Sequence, residues 1–244
     1  MIVTSTELQN NFGKYLALAA REDIIVTRNG TALAKLTAMK DPAADRSEYS
    51  LAMERSASYG PRGRKATWEE FLALRDEAEE RYEYIDGEIF LTASPKTAHQ
   101  TALMELTGLF YNWFQGKTCR PFVAPYDIEL NRSSEKRNMV QPDLMVICDL
   151  DEHLGEDGYY KGVPTLVVEI LSESTRGKDM IRKLDLYMSC GVKEYWIVNP
   201  MGKEITVYLF EDANLSDHAT FKSGETARSF VFGGLSAELN RVFR

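Results

Sequence analysis

Apolar and polar positions change period several times along the 244-residue chain, and the changes divide it into segments. Met1–Val3 is a short β-prone run. Leu8, Phe12, Tyr15, Leu16 and Ala19 then recur at helical spacing, and Ser5 or Thr6 can cap the first turn. Ile24–Thr27 and Ala32–Thr37 read as strands around Arg28-Asn29-Gly30-Thr31. Asn-Gly is a hairpin signal because both residues tolerate positive φ. From Asp41 to Lys65 the pattern dissolves into Pro, Gly, Ser and charged residues, which reads as a linker with a helical turn near Tyr49–Arg55.

Beyond the linker the pattern is mixed α/β. Thr67 with Glu70 fits a capping box for a helix running to about Glu80. Tyr82–Leu91 reads as a hairpin turning at Asp86-Gly87. Ala98–Phe114 is an amphipathic helix presenting Leu103, Leu106, Phe110 and Trp113 on one face. Strands are expected at Phe122–Leu130, Leu144–Ile147 and Thr165–Ile170, followed by a helix from about Arg176 to Ser189. Strands at Tyr195–Val198 and Ile205–Leu209 close the series. The nearly all-apolar PTLVVEI has the composition of a central strand covered on both faces. The expected architecture is a mixed central sheet flanked by helices, preceded by a small α+β unit.

Charge sharpens this division. The net charge is −8, but residues 1–65 carry ten Lys/Arg against seven Asp/Glu, a net of +3, leaving −11 for residues 66–244. An acidic average is therefore weak grounds for excluding a nucleic-acid partner. Cys119, Cys148 and Cys190 lie far apart without CxxC spacing, which disfavours zinc and a disulfide framework. No apolar run approaches the ~18–20 residues of a membrane helix. With no secretory pattern at the start, a cytoplasmic protein with reduced thiols is expected.

The amino-terminal order of strand, helix and hairpin is too small to bury a good core alone, so a homodimer is expected. VTSTELQNNFGKYLALA followed by DIIVTRNGTALAKL resembles the prevent-host-death (Phd/YefM) antitoxins. That resemblance implies a dimerising, DNA-binding domain over residues 1–45, then a linker over 46–65. By position it makes Asn10, Asn11, Lys14 and Arg28 the DNA-facing candidates, residue types that suit phosphate contact. The competing reading is a solvated helix face and an ordinary hairpin charge. Antitoxins of this kind often carry a basic residue where this chain has Asn10-Asn11.

The chemistry of residues 66–244 centres on carboxylates. Gln141-Pro142-Asp143 enters one strand and Glu169 ends a later one. A carboxylate on a fully buried strand is poorly suited to packing, and two brought together repel unless a cation or proton intervenes. Oxygen-only ligation suits Mg²⁺ or Mn²⁺, which can activate water and stabilise a phosphodiester transition state. The order PD…E-x-L-S resembles the PD-(D/E)XK nucleases. The strings YEYIDGEI, SPKTAH, QPDLMVI, PTLVVEILSEST and KDMIRKLDLYMSCGVKEYWIVNP resemble the Uma-two family of restriction-endonuclease-like proteins. The resemblance implies a restriction-endonuclease-like sheet with Asp143 and Glu169 as metal ligands, and suggests Glu83 as an additional acid.

Leu171 occupies the slot two residues after the glutamate where E-x-K nucleases carry their lysine. On the following helix Met180, Ile181, Leu184, Tyr187 and Met188 form an apolar face with Lys183 on its flank. Lys183 is therefore the candidate for a migrated active-site lysine; its competing reading is an i,i+4 pair with Asp179. His99 reads first as a core or capping histidine, and a site-shaping role is open. Asp127 and Glu129 fit one wet strand face. Cys148 and Cys190 read as buried thiols, and Ser172, Ser174 and Thr175 as loop and cap residues. The sequence thus points to a metal-dependent endodeoxyribonuclease using Asp143, Glu169, Lys183 and Glu83. The antitoxin-like module would serve dimerisation, DNA targeting or restraint. The alternative is a non-catalytic DNA-binding regulator built on a degenerate nuclease fold.

Overall fold

Val3, Tyr15, Ala19, Ile24 and Val26 are buried together, with Leu8 and Leu36 packed against them. They come from the first of two units, residues 1–58 and 59–244, into which the computed structural model divides. The structure describes residues 1–4, 7–8, 15, 19, 23–28, 31–37, 63–92, 94–133, 136–172 and 182–244, without the side chains of Arg28 and residues 31–33. In the first unit β1 (Ile2–Thr4) pairs parallel with β2 (Ile24–Arg28), which pairs antiparallel with β3 (Thr31–Leu36). Asn10, Asn11 and Lys14 lie outside the described residues, as do Phe12, Leu16, the Asn29-Gly30 turn and the Tyr49–Arg55 segment.

The second unit opens with β4 (Arg64–Lys65) and α1 (Trp68–Glu77). Two residues of the expected linker are thus edge-strand residues, paired with Ile89 and Glu88. Thr67 Oγ1 accepts from Glu70 N at 3.2 Å and Thr67 N donates to Glu70 Oε2 at 2.8 Å, a complete capping box. The helix stops at Glu77, three residues earlier than the sequence suggests. β5 (Tyr82–Ile85) and β6 (Glu88–Leu91) turn at Asp86 and Gly87, whose φ values of 49° and 80° are both left-handed.

α2 (Thr97–Phe114) buries His99, Ala102, Leu106, Phe110 and Phe114. The buried stripe is therefore rotated from the expected one, and Leu103 and Trp113 are only partly covered at its flanks. β7 (Arg120–Val123), β8 (Ile128–Ser133), β9 (Lys136–Val140) and β10 (Leu144–Ile147) follow. The single strand expected over Phe122–Leu130 is two strands in different sheets. Pro125, after a cis peptide bond from Ala124, has no N–H to continue a ladder.

Next come α3 (Leu150–His153), β11 (Leu166–Ile170), α4 (Leu184–Ser189) and β12 (Glu194–Asn199). β13 (Glu204–Glu211), β14 (Asn214–Lys222), β15 (Thr226–Arg228), β16 (Ser236–Glu238) and α5 (Leu239–Val242) complete the described elements. The last four are not foretold by the sequence pattern; β14 is mostly exposed and so carries no clear apolar signal.

A six-stranded sheet runs β14-β13-β12-β11-β10-β7, and a five-stranded one β4-β6-β5-β9-β8. In the larger sheet only β11 and β12 pair in parallel. Alternate residues of β10, β11 and β12 enter two cores. Leu144, Val146, Val168, Trp196 and Val198 pack under α2 and the carboxy-terminal elements. Met145, Ile147, Val167, Tyr195 and Ile197 pack with Ile85, Phe90, Ile128, Val140, Leu186 and Tyr187 from the smaller sheet and α4.

One expectation about the thiols is overturned: Cys119 and Cys148 form a disulfide. They are 29 residues apart, but β7 and β10 pair antiparallel with Arg120 opposite Ile147, so the next step along both strands makes the cysteines neighbours. Cys190 is free, and burial pushes its thiol pKa up, away from a nucleophilic role. Among the described residues no helix is long and apolar enough to cross a membrane.

Candidate active site

Three residues make one of the crossings between the two sheets. β9 ends in the smaller sheet at Val140 and β10 begins in the larger one at Leu144, with Gln141-Pro142-Asp143 between them. Asp143 lies one position before the paired residues Leu144 and Val168, which sets it opposite Glu169 in the antiparallel β10–β11 pair. Its Oδ2 accepts the Ile170 N–H at 2.8 Å. On the other side of the crossing, Gln141 N donates to Glu83 Oε1 on β5 at 2.9 Å. The strand register alone thus brings carboxylates from β5, the crossing and β11 to one cavity.

That cavity, about 110 Å³, is lined by Glu83, Asp143, Glu169 and Lys183, with Arg81, His99, Gln141, Ser172 and Arg182 among its other walls. Lys183 immediately precedes α4 and is only 5% exposed. Its Nζ donates to Glu83 Oε1 and to Glu169 Oε1, at 2.9 Å each. Burying an ammonium is costly unless it is paired, and two carboxylates answer that requirement here. Leu171 fills the usual lysine slot and is buried in the apolar core on this side of the sheet. The cation therefore reaches Glu169 from another element. Asp179, the other candidate partner of Lys183, lies outside the described residues.

Tyr187, one helical turn after Lys183, donates its hydroxyl to Glu169 Oε1 at 2.6 Å. Burial, reinforced by the Glu169 charge, raises the phenol well above its ordinary pKa, so it is a neutral donor. From the sequence Tyr187 reads as core only, although its i,i+4 relation to Lys183 is a usable signal. Arg182 pairs with Glu88 at 2.6 Å and its guanidinium lies over the Phe90 ring. Arg81 has no carboxylate partner among the described residues. Arg81 carries no signal as a cavity residue in the sequence, and Gln141 is visible there only as the first residue of the Gln141-Pro142-Asp143 motif.

Hard oxygen donors prevail around Asp143 and Glu169. Among the described residues Asp143 Oδ1 accepts no hydrogen bond, and Gln141 Oε1 is buried without a donor. Among those residues no three His, Cys, Asp or Glu side chains are grouped so as to hold a metal ion by themselves. Oxygen acceptors short of donors, without such a group, fit a hard ion that keeps waters and substrate oxygens in its shell; they do not fit structural zinc. Glu83 spends Oε1 on Lys183 and on Gln141 N–H.

Other acids and histidines have partners of their own. Glu129 is held by Arg137 at 2.9 Å and Asp127 accepts from Gln141 Nε2 at 2.7 Å. His153 pairs with Asp149, and His218 stacks on Tyr208. Ser174 and Thr175 are outside the described residues, and of Arg28 only the backbone is described.

The fold and this cavity define a mixed-sheet α/β protein with acids on and beside its strands and a lysine at the start of a helix. The chain belongs to the Uma2 family, described as "Putative restriction endonuclease", which matches residues 68–240. Two uncharacterized proteins of Synechocystis sp. are similar. The protein slr1290 is 29% identical over 145 residues, 59% of this chain and 74% of its own length. The protein sll1609 is 25% identical over 131 residues, 53% of this chain and 72% of its own. A crystal structure from Anabaena variabilis, titled as a putative nuclease belonging to DUF820, superimposes with a TM-score of 0.58 at 19% identity. The match spans 72% of this chain and 96% of that one, and the two share a fold.

Proposed function

We propose that residues 66–244 form a divalent-metal-dependent nuclease that hydrolyses phosphodiester bonds in DNA. The observation that carries this reading is the meeting of Asp143, Glu169 and Lys183 at one cavity, with Lys183 Nζ 2.9 Å from Glu169 Oε1. Family membership and the shared fold support it.

Asp143 and Glu169 would hold Mg²⁺ or Mn²⁺. When bound, such an ion makes its coordinated water acidic and offsets charge on a phosphodiester. Lys183, fixed between two carboxylates, stands ready to stabilise hydroxide or developing phosphate charge without reorganising during the reaction. Glu83 orients Lys183 through Oε1 and, on the family pattern, assists the metal. Tyr187 holds Glu169 in place as a neutral donor. Arg81 lines the cavity without a carboxylate partner among the described residues and is suited to a substrate phosphate. A non-catalytic regulator would be favoured by a Lys183 directed away from the acids; its contact with Glu169 supports the catalytic reading.

For residues 1–45 the reading is an antitoxin-like dimerisation and DNA-binding module, supported by the strand, helix and hairpin order. Lys14→Ala and Arg28→Ala in the full chain should each weaken DNA binding in a salt-dependent gel-shift titration. Unchanged affinity in both removes the DNA role.

The central test mixes purified full-length protein with supercoiled DNA, and in parallel RNA, in Mg²⁺ or Mn²⁺. Cleavage is expected for wild type and not for Asp143→Ala or Glu169→Ala. Cleavage that both variants retain overturns the assignment.

A further inference from the structure

The apolar stripe of α2 begins with a side chain that packing does not explain. His99 is 9% exposed and precedes Ala102, Leu106 and Phe110 on the buried face. Its Nε2 lies 3.1 Å from Asp143 Oδ2. A carboxylate oxygen accepts, so in this contact Nε2 carries the hydrogen. The other ring nitrogen, Nδ1, is buried with no hydrogen-bond partner among the described residues. A histidine kept for packing would satisfy both nitrogens or give way to an apolar residue. This one leaves one nitrogen unserved while the other serves the carboxylate.

Asp143 Oδ2 consequently takes two donors, His99 Nε2–H and Ile170 N–H at 2.8 Å, while Oδ1 takes none from the described residues. The terminal torsion of an aspartate is broad and two-fold, so one donor on one oxygen lets the carboxylate pivot. A second donor on the same oxygen closes that freedom and fixes where Oδ1 points.

We propose that His99 is a positioning residue that orients Asp143, holding Oδ1 toward the cavity for a divalent cation. The inference rests on the metal-dependent reading above and assigns the imidazole a role through Asp143, without contact to substrate or ion. Outer donors of this kind typically change metal affinity by about 10–100-fold when removed.

The test is Mn²⁺ binding by titration calorimetry on the full-length protein, with far-UV circular dichroism to confirm folding. His99→Leu keeps the bulk and removes the donor; it should weaken Mn²⁺ about 10–100-fold. His99→Gln places an amide N–H near the position of Nε2 and should restore most of the affinity, whereas the shorter His99→Asn should not. Cleavage should fall through kcat in the Leu and Asn variants, with KM for DNA unchanged. Wild-type affinity in folded His99→Leu overturns the inference. If His99→Leu fails to fold, equal affinity of wild type, His99→Gln and His99→Asn overturns it instead. Asp143→Asn separates the two levels. Loss of Mn²⁺ in Asp143→Asn but not on His99 substitution sinks this inference alone, while a wild type that binds no Mn²⁺ sinks the metal reading and this inference with it.

Discussion

Glu169 and Glu194 stand on neighbouring parallel strands, β11 and β12, and both are shut away from water at 4% and 0% exposure. Their surroundings differ in kind. Glu194 shares a face with Trp196, and its Oε1 accepts Trp196 Nε1 at 2.5 Å. Its Oε2 accepts Ser229 Oγ, Phe230 N and Val231 N at 3.0, 2.8 and 2.7 Å. Those donors are neutral, and they tie the segment after β15 to the central sheet. Glu169 faces the opposite side, where a lysine, a second acid and a cavity meet it. Burial of a carboxylate on a central strand is therefore no mark of chemistry by itself. What separates the two is a cation within reach and an adjoining space that a substrate can enter.

Substitutions can break or sharpen this contrast. The largest effect is expected at the cavity: Asp143→Ala or Glu169→Ala should lower plasmid cleavage on the order of 10³-fold or more while the protein stays folded. Lys183→Met should follow at about 10²–10³-fold in kcat, read from the same assay. Glu194→Gln should behave oppositely. It turns an amide N–H toward donors already in place, lowering unfolding stability in urea by about 2–4 kcal/mol while leaving cleavage per folded molecule unchanged. A Glu194→Gln protein of unchanged stability, or one that loses cleavage while folded, would erase the distinction. Arg81→Ala should raise KM for DNA about tenfold with kcat preserved, the signature of lost phosphate binding.

The smallest effect is a pH slope. Burial pushes the Glu194 carboxyl above its ordinary range, against the pull of its donors in the other direction. The folded state then binds this proton more tightly than the unfolded chain. Its contribution favours folding at low pH, declines as pH rises from the ordinary carboxylate range to the raised folded value, and is flat above it. Urea midpoints measured across that window should fall less, or rise more, with pH in Glu194→Gln than in wild type. Parallel curves would contradict the assigned direction.

Much of this is legible in the sequence. The Thr67–Glu70 capping box and the Asp86-Gly87 turn depend on neighbours along the chain, so local chemistry announces them. Asp143 and Glu169 stand out because carboxylates are rare on apolar strands. Glu194 falls one residue before the expected strand Tyr195–Val198 and draws no notice in the sequence; the sheet reveals it as a buried strand acid and shows which acid adjoins a cavity. The break at Pro125 is visible as a proline, yet only the two sheets reveal that β7 and β8 part company there.

What the chain alone determined is periodicity, caps, turns and the supply of chemically able side chains, because these act over a few residues. Tertiary structure decided the rest. It set Asp143 opposite Glu169 through antiparallel register, and made Cys119 and Cys148 neighbours by the same means. It delivered Lys183 to Glu83 and Glu169 across 100 and 14 residues of sequence, while Leu171 packed in the slot that a simpler pattern gives to the lysine. Contacts between distant segments depend on strand order and helix placement, and no local spacing encodes them.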